Sequence, residues 1–148
     1  MYFEDFYQGY SFETKKKTIT KKDIISFAEK WDYQPFHIDE KLAKQSHYGG
    51  LIASGWQTIA IAHSLILDTQ KTSRSSMGSP GLDKVNWFKP VRPNDTIHCR
   101  VTVKSSRKSN SKPFGVTTIL VEVFNQEKEL VADMTACLLY TSDAADEW

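Results

Sequence analysis

An α+β domain, in which a curved antiparallel sheet wraps around one central apolar helix, is the fold class this sequence predicts, and three observations predict it. Residues 54 to 67, "SGWQTIAIAHSLIL", carry apolar side chains around the whole circumference of a helix, which asks for enclosure on every side. Four strand-like runs follow, "KVNWFKPV", "TIHCRVTV", "GVTTILVEVF" and "LVADMTACLLY", several of them alternating with period two. The connections "SSRKSNSKP" and "NQEKE" between the last three imply hairpins, and hairpins imply antiparallel pairing. One enclosed helix ahead of a long meander is the hot-dog arrangement.

The earlier elements follow from local signals. Residues 11 to 19, "SFETKKKTI", read as a strand. Thr20 and Asp23 form a capping box at the start of a helix whose Ile24, Phe27, Ala28 and Trp31 recur at helical spacing. Pro35 holds Gln34 extended and bars any helix from running through. Asp39 caps a short helix, "EKLAKQS", which Gly49 and Gly50 end.

Composition narrows the function classes. The 148 residues suit a single domain, with 40% hydrophobic and 25% charged side chains. A net charge of +1 supplies no field for nucleic acid or an anionic membrane, and the basic run "KKKTITKK" reads as a solvated strand and helix start. Cys99 and Cys137 form neither a metal nor a disulfide pattern, so the expected setting is the reducing cytoplasm. The N-terminus is unlike a signal peptide, and the apolar stretch from 51 to 67 is too short for a bilayer. The segment "CLLYTSDAADE", from residue 137, resembles the translation of a sequencing-adaptor oligonucleotide. The expected domain is therefore 1–136, with 137–148 as a foreign tail.

The chemistry concentrates in "WDYQPFHIDEKLAKQSHYGGLIASGWQT". A turn around Pro35 can bring the Asp32 carboxylate and the His37 imidazole to one point, where they would act on a water as a general acid–base pair. A capping Asp beside a surface His fits the spacing as well. Gly55 opens the apolar helix, where unpaired amides and the helix dipole favour negative charge, as in an oxyanion hole. Close packing of helix against sheet would also call for glycine there. Trp56 and Tyr48 either border such a site or pack as core. Of the neighbouring rings Trp87 and Phe88, one faces the helix and the other outwards, where it could mark a subunit interface.

The stretch "DYQPFH" resembles the D-x-[NQ]-P-x-H signature of MaoC-like dehydratases, the (R)-specific enoyl-CoA hydratase family. The resemblance runs on through "HYGGLIASGWQT" and "GSPGLDKVNWFKPVRPNDT" and covers most of residues 1 to 136. It implies a hydro-lyase, needing no metal or redox cofactor, that adds water across the double bond of an enoyl thioester, on coenzyme A or an acyl carrier, or removes it from the 3-hydroxyacyl product. Asp32 would be the base, His37 would orient the water and help deliver a proton to C2, and the Gly55 amide would hold the thioester oxygen. Gln34 stands where many members have Asn and would support the loop, while Gln34, Tyr48 and Trp56 would meet the substrate. His63 stands where family hydratases often carry Ser, and is expected in the core or an interface. Lys89 and Arg92 either meet coenzyme A phosphates or are simply solvated. A homodimer or higher homo-oligomer is implied as well. The alternatives are a hot-dog thioesterase, which usually presents a carboxylate from the central helix, and a non-catalytic acyl-binding module.

Overall fold

The computed structural model describes residues 1–71 and 75–141. After a 3-10 turn at Phe3–Asp5 come β1 (Ser11–Glu13), β2 (Lys17–Thr18), α1 (Lys21–Trp31), α2 (Pro35–Ile38), α3 (Glu40–Gln45) and α4 (Gly55–Asp68). The meander then runs through β3 (Gly81–Trp87), β4 (Thr96–Lys108), β5 (Phe114–Phe124) and β6 (Leu130–Thr141). All pairings are antiparallel, in the order β1-β4-β5-β6-β3, with β2 also on β4. The fold is the α+β hot-dog arrangement.

The core lies between sheet and helix. Along β5 the burial alternates, so that Ile119, Val121 and Val123 turn inward beside Val101 of β4 and Met134 of β6. Against this face α4 sets Ala62, Leu65 and Ile66. Burying side chains the size of Leu65 and Ile66 stabilises by about 1.5–3 kcal/mol each.

Enclosure of α4 is one-sided. Gln57, Thr58, Ala62, Leu65 and Ile66 are buried, but Trp56 is 60% and Leu67 48% exposed. His63, expected in a core or interface, lies on this exposed side. A sheet curving past one flank covers half a helix, so the all-round apolar pattern overstates what one chain encloses. Trp31 is likewise 70% exposed, although it falls on the apolar spacing of α1.

Three boundaries differ from the sequence reading. The run from 11 to 19 is two short strands, because the Thr14 side-chain oxygen accepts the Cys99 amide at 2.9 Å and the chain leaves the ladder until Lys17 faces Ile97. The third helix stops at Gln45, before Gly49, whose φ of +67° serves the following turn. The strand expected over 84–91 ends at Trp87, where the amides of Phe88 and Lys89 both turn onto the Val131 carbonyl.

The last strand takes in Cys137–Thr141, opposite Phe114–Thr118, and buries Tyr140 with its ring stacked 4.4 Å from that of Phe6. Residues 142–148 of the adaptor-like segment lie outside the described residues. No helix among the described residues is long and apolar enough to cross a membrane.

Candidate active site

Local rules place the two polar groups of the site. A reciprocal capping box starts α1: the Asp23 amide bonds the Thr20 side chain, and the Thr20 amide bonds the Asp23 carboxylate, both at 3.1 Å. The helix runs out at Trp31, leaving Asp32 as its C-cap. Pro35, at the first position of α2, has no amide to leave unsatisfied and starts a single turn that swings His37 inward. Asp39 caps α3 through the Leu42 amide at 3.0 Å.

An extended segment then carries the chain back past this turn. The Ile52 amide donates to the Phe36 carbonyl at 3.1 Å, and the Ala53 amide to the Val91 carbonyl at 2.8 Å. Clamped on both sides, residues 52 and 53 deliver Ser54, the N-cap of α4, beside Asp32.

The centre of the site is the Asp32–His37 pair, with carboxylate Oδ2 3.3 Å from imidazole Nε2. On the far side of the ring, Nδ1 lies 2.7 Å from the Ile52 carbonyl oxygen. A carbonyl only accepts, so Nδ1 carries a proton, and in its neutral form the ring presents the Nε2 lone pair towards Asp32. Oδ1 of Asp32 accepts from Gln34 Nε2 at 2.7 Å, and Oδ2 from Ser54 Oγ at 2.7 Å. Burial alone would raise the Asp32 carboxyl, but the bonds from Ser54 and Gln34, with a smaller contribution from His37 whenever its ring is charged, hold the group below its ordinary range. Two acceptors, Oδ2 and Nε2, therefore face one point, where a water can donate to both.

Asp32, His37 and Gly55 line one cavity of about 410 Å³. As the first residue of α4, Gly55 has an amide that the helix cannot pair internally. The Trp87 indole lies across the same residue and donates from Nε1 to the Gly55 carbonyl at 2.9 Å. A Cβ at position 55 would stand 2.6 Å from that ring, so close packing alone favours glycine and an alanine would force the indole to shift.

The remaining predicted residues fall around this centre. Gln34 lines the cavity with its amide spent on Asp32. Tyr48 forms another wall, its ring 5.1 Å from Phe36. Trp56 also lines the cavity; instead of packing as core it stands edge-on to Trp87, with centroids 5.5 Å apart. Lys89 is ion-paired with Glu129, and Arg92 reaches the Tyr48 carbonyl at 2.7 Å, so both cations already have partners. The sequence reading passed over Ser54, whose signal was its N-cap position directly before Gly55. No cluster of metal-ligating side chains occurs among the described residues.

Comparison with known proteins bears on this whole region. The MaoC-like domain model matches residues 6–124. The chain is 30% identical over 128 residues to the uncharacterized protein YdeM of Bacillus subtilis, covering 86% of this chain and 90% of that one. It is 32% identical over 108 residues to a 3-hydroxybutyryl-CoA dehydratase of Methylorubrum extorquens, covering 70% and 64% respectively. In structure it is similar to the MaoC-like dehydratase of Rhodospirillum rubrum, with a TM-score of 0.90, 32% identity, and coverage of 96% of this chain and 97% of that one. The matched region runs from before Asp32 to beyond Trp87 and so contains every wall of the cavity, and the chain belongs to the MaoC-like domain family.

Proposed function

We propose that this protein is a hydro-lyase acting on an enoyl or 3-hydroxyacyl thioester, with acyl-CoA as the substrate. The observation that carries the reading is the convergence of Asp32 Oδ2 and His37 Nε2, 3.3 Å apart, in the cavity that also exposes Gly55. A water donating to both acceptors gives up one proton to the pair as its oxygen bonds C3 of the alkene. The alkene electrons move towards the thioester carbonyl, whose oxygen the Gly55 amide stabilises, and the pair returns a proton to C2. Dehydration is the same path in reverse. Family-level similarity to dehydratases supports this chemistry, and similarity to the 3-hydroxybutyryl-CoA dehydratase of Methylorubrum supports a coenzyme A thioester.

The working unit we propose is a homodimer. Among the described residues β3 pairs only with β6, so its other edge is open to a second copy. The exposed Trp56, His63 and Leu67 on α4 would be covered in the same assembly. Sedimentation at micromolar concentration is expected to give twice the chain mass, and a monomer would contradict the assembly.

The test of function follows alkene absorbance with crotonyl-CoA and longer enoyl-CoA substrates, while free thiol is measured in parallel. Alkene loss without thiol release is the expected result. Thiol release would instead identify a thioesterase, and ligand binding with neither change would identify a binding module.

A further inference from the structure

We propose that Ser54 is the positioning residue of this site: its hydroxyl ties the Asp32 carboxylate to the first turn of α4, so that the proton-transfer pair and the Gly55 amide keep one fixed spacing. The purpose of that spacing rests on the hydration reading above, whereas the tie itself is a matter of geometry.

Ser54 is wholly buried. Its Oγ accepts the Trp56 amide at 3.3 Å, which is the bond any N-cap serine makes. The same Oγ donates to Asp32 Oδ2 at 2.7 Å, a bond that capping does not need. A hydroxyl has a single proton, and here it is committed to the carboxylate. One side chain thus joins a residue 22 positions earlier in the chain to the peptide immediately after Gly55.

Without this donor, Oδ2 would face only His37 Nε2 at 3.3 Å, two acceptors with nothing to bind them together. Oδ1 would keep its bond to Gln34, but Gln34 is an exposed residue on the same loop and moves with it. The carboxylate plane would then be free to turn about its broad terminal torsion, and the water would lose a fixed acceptor. The groups bonded to or ion-paired with Asp32 are His37 from α2, Ser54 at the N-cap of α4, and Gln34 from its own loop; Tyr48 and Lys89 are the other titratable walls of the cavity.

The decisive experiment is a carbon-13 NMR titration of the Asp32 side-chain carboxyl in the wild type, Ser54→Ala and Ser54→Thr, paired with steady-state kinetics on crotonyl-CoA. Losing a donor to the charged form should move the Asp32 midpoint to higher pH in Ser54→Ala, and the threonine hydroxyl should move it back. In Ser54→Ala, kcat should fall by about tenfold or more, with KM changed less than about twofold, because the interaction lost is one to a charged group. Should the alanine variant not fold, Ser54→Cys, a weaker donor of similar size, is expected to shift both readouts the same way. An unchanged Asp32 midpoint, or a loss of thermal stability alone, would overturn the proposal and leave Ser54 a simple helix cap. A wild type that hydrates no enoyl thioester would overturn the hydration reading, while the titration would still decide the tie.

Discussion

Trp87 packs against Gly55, its indole N–H donating 2.9 Å to the Gly55 carbonyl while the ring stands 2.6 Å from the place where a Cβ would be. The end of β3 and the start of α4 are therefore locked together at the mouth of the site. Gly55→Ala should push the indole out and destabilise the fold by about 1–3 kcal/mol, the usual cost of overpacking. Urea unfolding measures it. Combining Gly55→Ala with Trp87→Leu should cost less than the sum of the two single changes, since both disturb one contact. Additive costs would show that the two residues do not share that contact.

The acid side of the stability profile should carry a contribution from Asp32. Its folded carboxyl titrates below the ordinary value of 3.8. A group depressed in this way contributes stability that is present above the unfolded value and is lost as the pH falls through the folded one. Asp23, lowered by its bonds with Thr20, acts in the same sense. Unfolding measured from pH 6 downwards should therefore show stability falling below about pH 4. In Asp32→Asn this acid-induced loss should be shallower, and a slope identical to that of the wild type would contradict the pairing.

Tyr140 makes the end of β6 a structural element, whatever its origin. The residue is 2% exposed, burial pushes its phenol up, and its ring stacks on Phe6. Tyr140→Ala, or ending the chain after Ala136, should cost about 3–5 kcal/mol, as for other buried aromatic truncations. Thermal unfolding reads the loss. A Tm unchanged by removing residues 137–148 would show that the domain closes without them.

The fold was legible where periodicity and capping speak unambiguously. The alternation of "GVTTILVEVF" and the Thr20–Asp23 box fix β5 and the start of α1 almost to the residue. Where two requirements compete, the sequence misleads. The apolar circumference of α4 reads as complete enclosure, yet Trp56 and Leu67 stay exposed in the single chain, since the pattern does not say which neighbour does the covering. At the site, the spacing of Asp32, Pro35 and His37 suggested a turn that converges the two side chains. The rotation of the ring was not readable, because the Ile52 carbonyl that fixes Nδ1 is a backbone group with no sequence signature. Ser54 was hidden differently: its capping role accounts for a serine at that position, so nothing in the sequence called for the additional bond to Asp32.

The most direct measurement of the central claim is the turnover of crotonyl-CoA by Asp32→Asn and His37→Gln beside the wild type. If the two side chains share one reactive water, each variant should lose about 10²-fold or more in kcat while its fold, checked by circular dichroism, stays intact. Rates close to wild type in both variants would contradict the account and place the chemistry elsewhere.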